Sequence, residues 1–147
     1  MEEDTLKILR VSETWQLAGV YYVRTEGMVK GFQVPLDWEF ADDSPSSQYL
    51  LILDRGLPVA TCRLRILTDT TAKIERVCVL ESHRDRNIGK RLITDAEAWF
   101  RERGIKTAII TSRDAVVGFY EKLGYRADWN QIHEGFFKEV YMEKNLS

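Results

Sequence analysis

The chain has only two cysteines, Cys62 and Cys78, in 147 residues. Two do not make a disulfide framework, and both stand in apolar, strand-like contexts. A reducing, cytoplasmic setting is the simplest expectation. There are also only two histidines, His83 and His133. Separated from each other and from the cysteines, they lack the spacing of a zinc site, so no metal is expected. A basic excess is missing: 21 Lys and Arg face 23 Asp and Glu, for a net charge of −2. That argues against a general nucleic-acid or membrane-surface binder. No apolar run approaches bilayer-spanning length. The opening Met1-Glu2-Glu3-Asp4 is acidic and has no apolar core, so it does not read as a signal peptide. Repeats, low-complexity tracts and domain-splitting linkers are absent too. Residues 1–147 are therefore expected to form one soluble domain with a real core.

What the chain does have is a concentrated basic turn, Arg84-Asp85-Arg86-Asn87-Ile88-Gly89-Lys90. It follows the apolar run Ile74-Glu75-Arg76-Val77-Cys78-Val79-Leu80 and opens an amphipathic pattern through Ile88, Leu92, Ala96, Trp99 and Phe100, closed by Gly104. The first N–H groups of a helix lack internal acceptors and carry partial positive charge. A strand, a basic turn and a helix start together make a place to hold a phosphate. Because the positive charge is local, a small phosphorylated ligand fits better than a polymer.

The remaining pattern predicts a strand over 6–11 and a helix capped by Ser12 running through Tyr22, its spacing broken near Gly27. Residues 34–48 read as an acidic, turn-rich loop. Strands at 49–53 and 59–66 flank the turn Asp54-Arg55-Gly56 as a hairpin. A strand over 73–80, the helix from about Asn87 to Arg103 and a short strand over 107–111 follow. A second helix capped by Asp114 spans 115–123, and strands begin at Tyr125 and Phe137. This order implies an α/β fold: a mixed, mostly antiparallel twisted sheet of six to seven strands flanked by helices.

Two segments carry a family resemblance. Arg84-x-x-Asn87-x-Gly89 resembles the Arg/Gln-x-x-Gly-x-Gly/Ala signature of the GNAT superfamily of acetyl-CoA-dependent N-acetyltransferases. Ala115-Val116-Val117-Gly118-Phe119-Tyr120-Glu121-Lys122-Leu123-Gly124-Tyr125 resembles its Ala-x-x-Phe-Tyr-x-x-x-Gly-Phe run. The two in this order are far more specific than either alone. Asn87 replaces a glycine, and asparagine tolerates positive φ better than other non-glycine residues. Asp85 sits where a further glycine is frequent, a mild electrostatic cost beside a pyrophosphate. Arg24-x-Glu26, Gln33-Val34-Pro35 and Glu39-Phe40 resemble a small bacterial-type subgroup whose acceptors are mostly undefined.

The resemblance implies a GNAT-like acyl-CoA N-acyltransferase fold with acetyl-CoA as cosubstrate and no metal. It implies that the backbone of Val77, Cys78 and Val79 pairs with the pantetheine amides, although a plain core strand explains the same residues. The N–H groups of Arg84, Asp85, Arg86, Asn87, Ile88, Gly89 and Lys90 would wrap the pyrophosphate. Ser112 stands where relatives place a cofactor-contacting amide, and a local turn is an equal alternative. Tyr120 is the expected general acid. A phenol titrates near ~10 and a thiol near ~8.5, so tyrosine stays protonated and can donate to a departing thiolate. A core aromatic is its alternative role.

Glu75 is the candidate base, since strand alternation would put it on one face with Val77. A salt bridge to Arg65 or Arg76 is its preferred ordinary role. Glu39, acting through water, is a second candidate. The run Asp37, Glu39, Asp42, Asp43 would either attract a cationic amine or form a solvated loop. His83 is expected to shape the turn and His133 to lie in a surface loop. With no Gly-x-Ser-x-Gly elbow and no histidine near either cysteine, direct transfer in a ternary complex fits better than a covalent acyl-enzyme.

The expected acceptor is a small-molecule amine or a protein amine, with no nucleic-acid or membrane partner. Whether the chain forms a homodimer is open. The rival reading is a non-catalytic acyl-CoA-binding module.

Overall fold

The computed structural model describes residues 5–147, so the reading of Met1–Asp4 lies outside the described residues. Seven strands are hydrogen-bonded in the order β1-β2-β3-β4-β5-β7-β6. They make a mixed sheet flanked by helices. The chain divides into two compact units, one running to Leu64 and including Arg76–Thr94, the other Arg65–Glu75 with Asp95–Ser147.

The first unit holds β1 (Leu6–Arg10), α1 (Thr14–Arg24), α2 (Leu36–Glu39), β2 (Gln48–Asp54) and β3 (Leu57–Ile66, up to Leu64). β1 and β2 are antiparallel, as are β2 and β3. The hairpin turns on Arg55 and Gly56, with φ of 52° and 82°. Two successive positive φ values match the twist of a tight antiparallel hairpin. Helix α1 begins one residue later than expected, behind Glu13 and not behind Ser12. The Gln16 side-chain oxygen accepts the N–H of both Ser12, at 2.7 Å, and Glu13, at 3.0 Å, which fixes that start. Val20 of α1 packs with Tyr49, Leu51 and Leu53 of β2, and Leu9, Val11, Leu17 and Tyr21 cover the cluster.

The broken spacing near Gly27 is a π-helical turn, Thr25–Lys30. Its reason is steric. A Cβ on Gly27 would stand 2.3 Å from the Cys78 sulfur, so backbone passes where no side chain fits. The acidic stretch also departs from expectation: it contains α2 and is tied inward.

The second unit holds the first half of β4 (Thr71–Val79), β5 (Thr107–Arg113), α4 (Val117–Lys122), β6 (Arg126–Glu134) and β7 (Lys138–Asn145). β4 pairs with β5 in parallel, from Thr71 against Thr107 to Ile74 against Ile110. β7 is antiparallel to both β5 and β6. Helix α3 (Ile88–Glu102) ends at Gly104, φ 77°, with the Ile105 N–H bonded back to the Phe100 carbonyl at 3.0 Å. This is the glycine-closed end that the sequence implies. The next helix is shorter than expected. Asp114–Val116 form a 3₁₀ turn, and α4 starts behind Val116, which makes no side-chain cap bond. Asp114 therefore does not cap it. His133 lies on β6, exposed, and not in a loop.

Candidate active site

Strand β4 carries a local irregularity before the turn it feeds. Arg76 has φ of 52°, a left-handed value rare inside a strand. Cys78 is buried, its sulfur 3.6 Å from the Val23 carbonyl, while Val77 and Val79 are half-buried. A 3₁₀ turn, Glu81–His83, leads to Arg84.

Two left-handed residues then open α3: Asp85 with φ of 71° and Asn87 with φ of 58°. Asn87, which replaces the first signature glycine, and Asp85, where a further glycine is frequent, therefore both have glycine-like backbone without being glycine. Ile88 is buried and anchors the helix start, whereas Arg84, Asp85, Arg86, Asn87 and Lys90 are exposed. The Arg91 N–H bonds to the Asn87 carbonyl at 3.1 Å, and the amides before it belong to the first turn, where intrahelical acceptors do not exist.

The side chains around this turn are organised from below. Arg84 Nε donates to the Val79 carbonyl at 3.2 Å, so turn and strand end are tied together. Arg86 Nη1 lies 3.2 Å from Asp54 Oδ2, and His83 Nε2 lies 2.8 Å from the same oxygen. The Thr5 hydroxyl also donates to Asp54. These partners, the Thr5 hydroxyl first, then His83 and Arg86, pull the Asp54 carboxyl down to about 2. His83 shapes the turn as expected. Asp54 was readable only as a hairpin-turn residue; nothing in its sequence context announces a partner 32 positions on.

The acidic stretch is neither a solvated loop nor an open lure for a cation. Arg24 is fully buried and donates through Nε to Glu39 Oε2 at 2.8 Å and through Nη1 to Asp43 Oδ1 at 2.7 Å. Arg63 reaches Asp42 at 3.0 Å and Asp43 at 3.1 Å, and Arg76 reaches Asp42 at 3.2 Å. The Tyr49 hydroxyl donates to Asp43 at 2.5 Å. Burial alone would raise the Asp43 carboxyl, but the bonds from Arg24 and Tyr49 and the nearby arginine charges carry it below its ordinary value. The Arg63 bond does the same for Asp42. Glu39 and Asp43 are thus structural acids, and only Asp37 stays exposed without that embrace.

Glu75, Ser112 and Tyr120 belong to the second unit. Glu75 lies 3.3 Å from Arg65 and 3.8 Å from Lys73, so it takes the Arg65 salt bridge that was its ordinary alternative. Ser112 is buried and its hydroxyl donates to the Arg113 carbonyl at 2.8 Å, the local bond that was the alternative. Tyr120 is 7% exposed, its ring edge-on to Phe119 at 5.0 Å and to Tyr125 at 6.2 Å.

Beside it lies a polar group that is not among the sequence-based candidates. The Tyr125 hydroxyl donates to Glu97 at 2.7 Å, and Lys144 Nζ lies 3.0 Å from the same carboxylate. Burial first, then the Glu97 carboxylate, push the Tyr125 phenol far above its ordinary range. Position 97 was detectable. It follows buried Ile93 by four residues and Ala96 by one, so helical spacing puts an acid on the inner face of α3.

Most of these positions fall within one sequence match. The family model described as Acetyltransferase (GNAT) family aligns with residues 14–125. The chain belongs to the GNAT acetyltransferase family. An uncharacterized N-acetyltransferase of Bacillus subtilis, YjcF, is 34% identical over 111 residues, covering 76% of this chain and 79% of that protein. A Lactobacillus plantarum crystal structure, assigned by inference as an N-acetyltransferase, superposes with a TM-score of 0.90 at 29% identity, covering 98% of this chain and all of that one. The PaiA N-acetyltransferase of Thermoplasma acidophilum, solved with coenzyme A, shares the fold at a TM-score of 0.76 and 18% identity, covering 95% of this chain and 98% of that one.

The GNAT match ends at Tyr125, so it takes in the β4 strand end, the basic turn, Ser112 and Tyr120 together. Among the described residues no helix is long and apolar enough to cross a membrane, and no three metal-ligating side chains are grouped.

Proposed function

We propose that this GNAT-family chain moves an acetyl group from acetyl-CoA to a primary amine by direct attack in a ternary complex, with residues 1–147 acting as one catalytic domain. The observation that carries this reading is the pair of left-handed residues, Asp85 and Asn87, opening α3. A turn shaped this way aims successive N–H groups at one point, as a diphosphate requires. The donor set fits: exposed Arg84 and Lys90 add full charge, and Arg86 adds charge partly offset by Asp54. The coenzyme A bound by the Thermoplasma relative supports the same cosubstrate here.

In this reading the backbone of Val77, Cys78 and Val79 orients the pantetheine arm as an added strand partner, and Ser112 is a further cofactor contact. Acetyl-CoA supplies the acyl group in activated thioester form. Tyr120 donates its phenolic proton to the sulfur as the thiolate departs, and Glu75 accepts the amine proton. The acceptor class is a small-molecule or protein amine, and the reaction belongs to the cytoplasm.

Thiol release from acetyl-CoA with spermidine, glucosamine and a lysyl peptide tests this. Tyr120→Phe should lower kcat by ~10²-fold, the scale of a lost general acid, while coenzyme A affinity is retained. Unchanged turnover removes Tyr120 from the mechanism. Coenzyme A binding without turnover by the native protein on any amine supports the non-catalytic module instead.

A further inference from the structure

Helix α4 is only six residues long and carries Tyr120 near its end. So short a helix does not hold its own shape. Its C-terminal end is held from outside. Lys144 Nζ, on β7, donates to the Leu123 carbonyl at 2.8 Å and to both Glu97 oxygens at 3.0 and 3.2 Å. The Tyr125 N–H bonds to the Tyr120 carbonyl at 3.1 Å, so these two residues are tied through the backbone as well as ring to ring. The Tyr125 hydroxyl ends on Glu97, and the Lys144 ammonium lies 5.6 Å from the centre of the Tyr125 ring. Glu97 is 5% exposed and Tyr125 2%, while the Lys144 side chain is 23% exposed, so this is a largely buried network in which every member has its partner. Such networks fix one geometry where apolar packing tolerates several.

We infer that Glu97, Lys144 and Tyr125 form a positioning network that sets the direction of the Tyr120 hydroxyl during turnover. The inference rests on the reading of Tyr120 as the proton donor. None of the three touches the reacting atoms in this role. They act through the end of α4 and the Tyr125 ring. The consequence is kinetic: a small displacement of a catalytic group costs far more in kcat than in binding.

Tyr125→Phe removes only the hydroxyl that locks the ring. It should lower kcat by ~10-fold, with the KM for acetyl-CoA within about twofold of native. Lys144→Gln, which keeps a donor toward the Leu123 carbonyl but drops the charge, should lower kcat in the same way. The decisive readout is the double variant. In a Tyr120→Phe background, Tyr125→Phe should cost nothing further in kcat, because a group acting through the Tyr120 hydroxyl has nothing left to position. The assay is thiol release from acetyl-CoA with the amine of the panel above that turns over fastest.

If Tyr120→Phe slows turnover but both single variants keep native kcat, or if the double variant shows independent losses, the network is only structural and this inference falls alone. If Tyr120→Phe leaves turnover intact, the proton-donor reading falls and takes the inference with it. A loss of thermal stability with native kcat in the folded fraction likewise overturns it.

Discussion

Replacing Arg24 with methionine should cost this protein a large part of its stability. The guanidinium is fully buried and makes four bonds: Nε to Glu39 Oε2 at 2.8 Å, Nη2 to the Glu39 carbonyl at 2.6 Å, Nη1 to Asp43 Oδ1 at 2.7 Å and Nη2 to Asp43 Oδ2 at 2.8 Å. Its ring-facing side lies 4.6 Å from the centre of Phe40. Asp43 would keep Arg63 and Tyr49, so its loss is partial. Glu39, 2% exposed, would lose the arginine that neutralises it. Removing one partner of a buried pair costs ~3–5 kcal/mol, because the remaining charge is stranded. With a urea m-value of ~2 kcal/mol/M, the unfolding midpoint should fall by ~1.5–2.5 M. The melting temperature should fall by ~10 °C. Arg24→Met with Glu39→Gln removes the stranded charge and should recover about half of that loss. A midpoint drop below ~0.5 M in the single variant would show that the network contributes little, and would refute the reasoning.

Acid should weaken the first unit in a defined window. Asp42, Asp43 and Asp54 all have depressed folded-state pKa values, so their contribution is complete above the ordinary carboxylate range and is lost as pH falls, for Asp54 between 3.8 and about 2. Urea midpoints recorded from pH 5 to pH 2 should therefore drop less steeply in Asp54→Asn than in the native protein; equal slopes would contradict the assignment. Gly27→Ala should destabilise by ~1–3 kcal/mol through overpacking, since its Cβ would sit 2.3 Å from the Cys78 sulfur; a neutral melt would show that the π-helical turn yields easily. Gly89→Glu should abolish coenzyme A binding in calorimetry by placing a carboxylate at the phosphate turn, and undiminished heat would mean that the turn is misassigned.

The readable parts of this fold were those governed by short-range rules. The β4–turn–α3 passage stands out because charge, apolar run and helix start are contiguous, and Asn87 signals its own positive φ. Asp85 takes the same conformation, although in sequence its charge is the more visible property. The acidic stretch was misjudged because its partners are distant. Arg24, Arg63 and Arg76 sit 15 to 34 positions from the acids they bind, and composition carries no pairing information. Helix starts slipped for a related reason. Ser12 is the better cap by type, but the Gln16 amide oxygen reached the backbone first and set the start behind Glu13. The Glu97–Lys144 pair joins residues 47 apart and became visible only when α3 and β7 were placed.

The two sulfhydryl groups have a practical consequence. Neither Cys62 nor Cys78 is disulfide-bonded, and their exposures are 0% and 6%. Aromatic disulfide dyes should therefore react slowly with the native protein, so colour developing in a transfer reaction would report liberated coenzyme A almost without background. The same dye, added in denaturant, would count two equivalents per chain as the interior opens, giving an unfolding probe that needs no label.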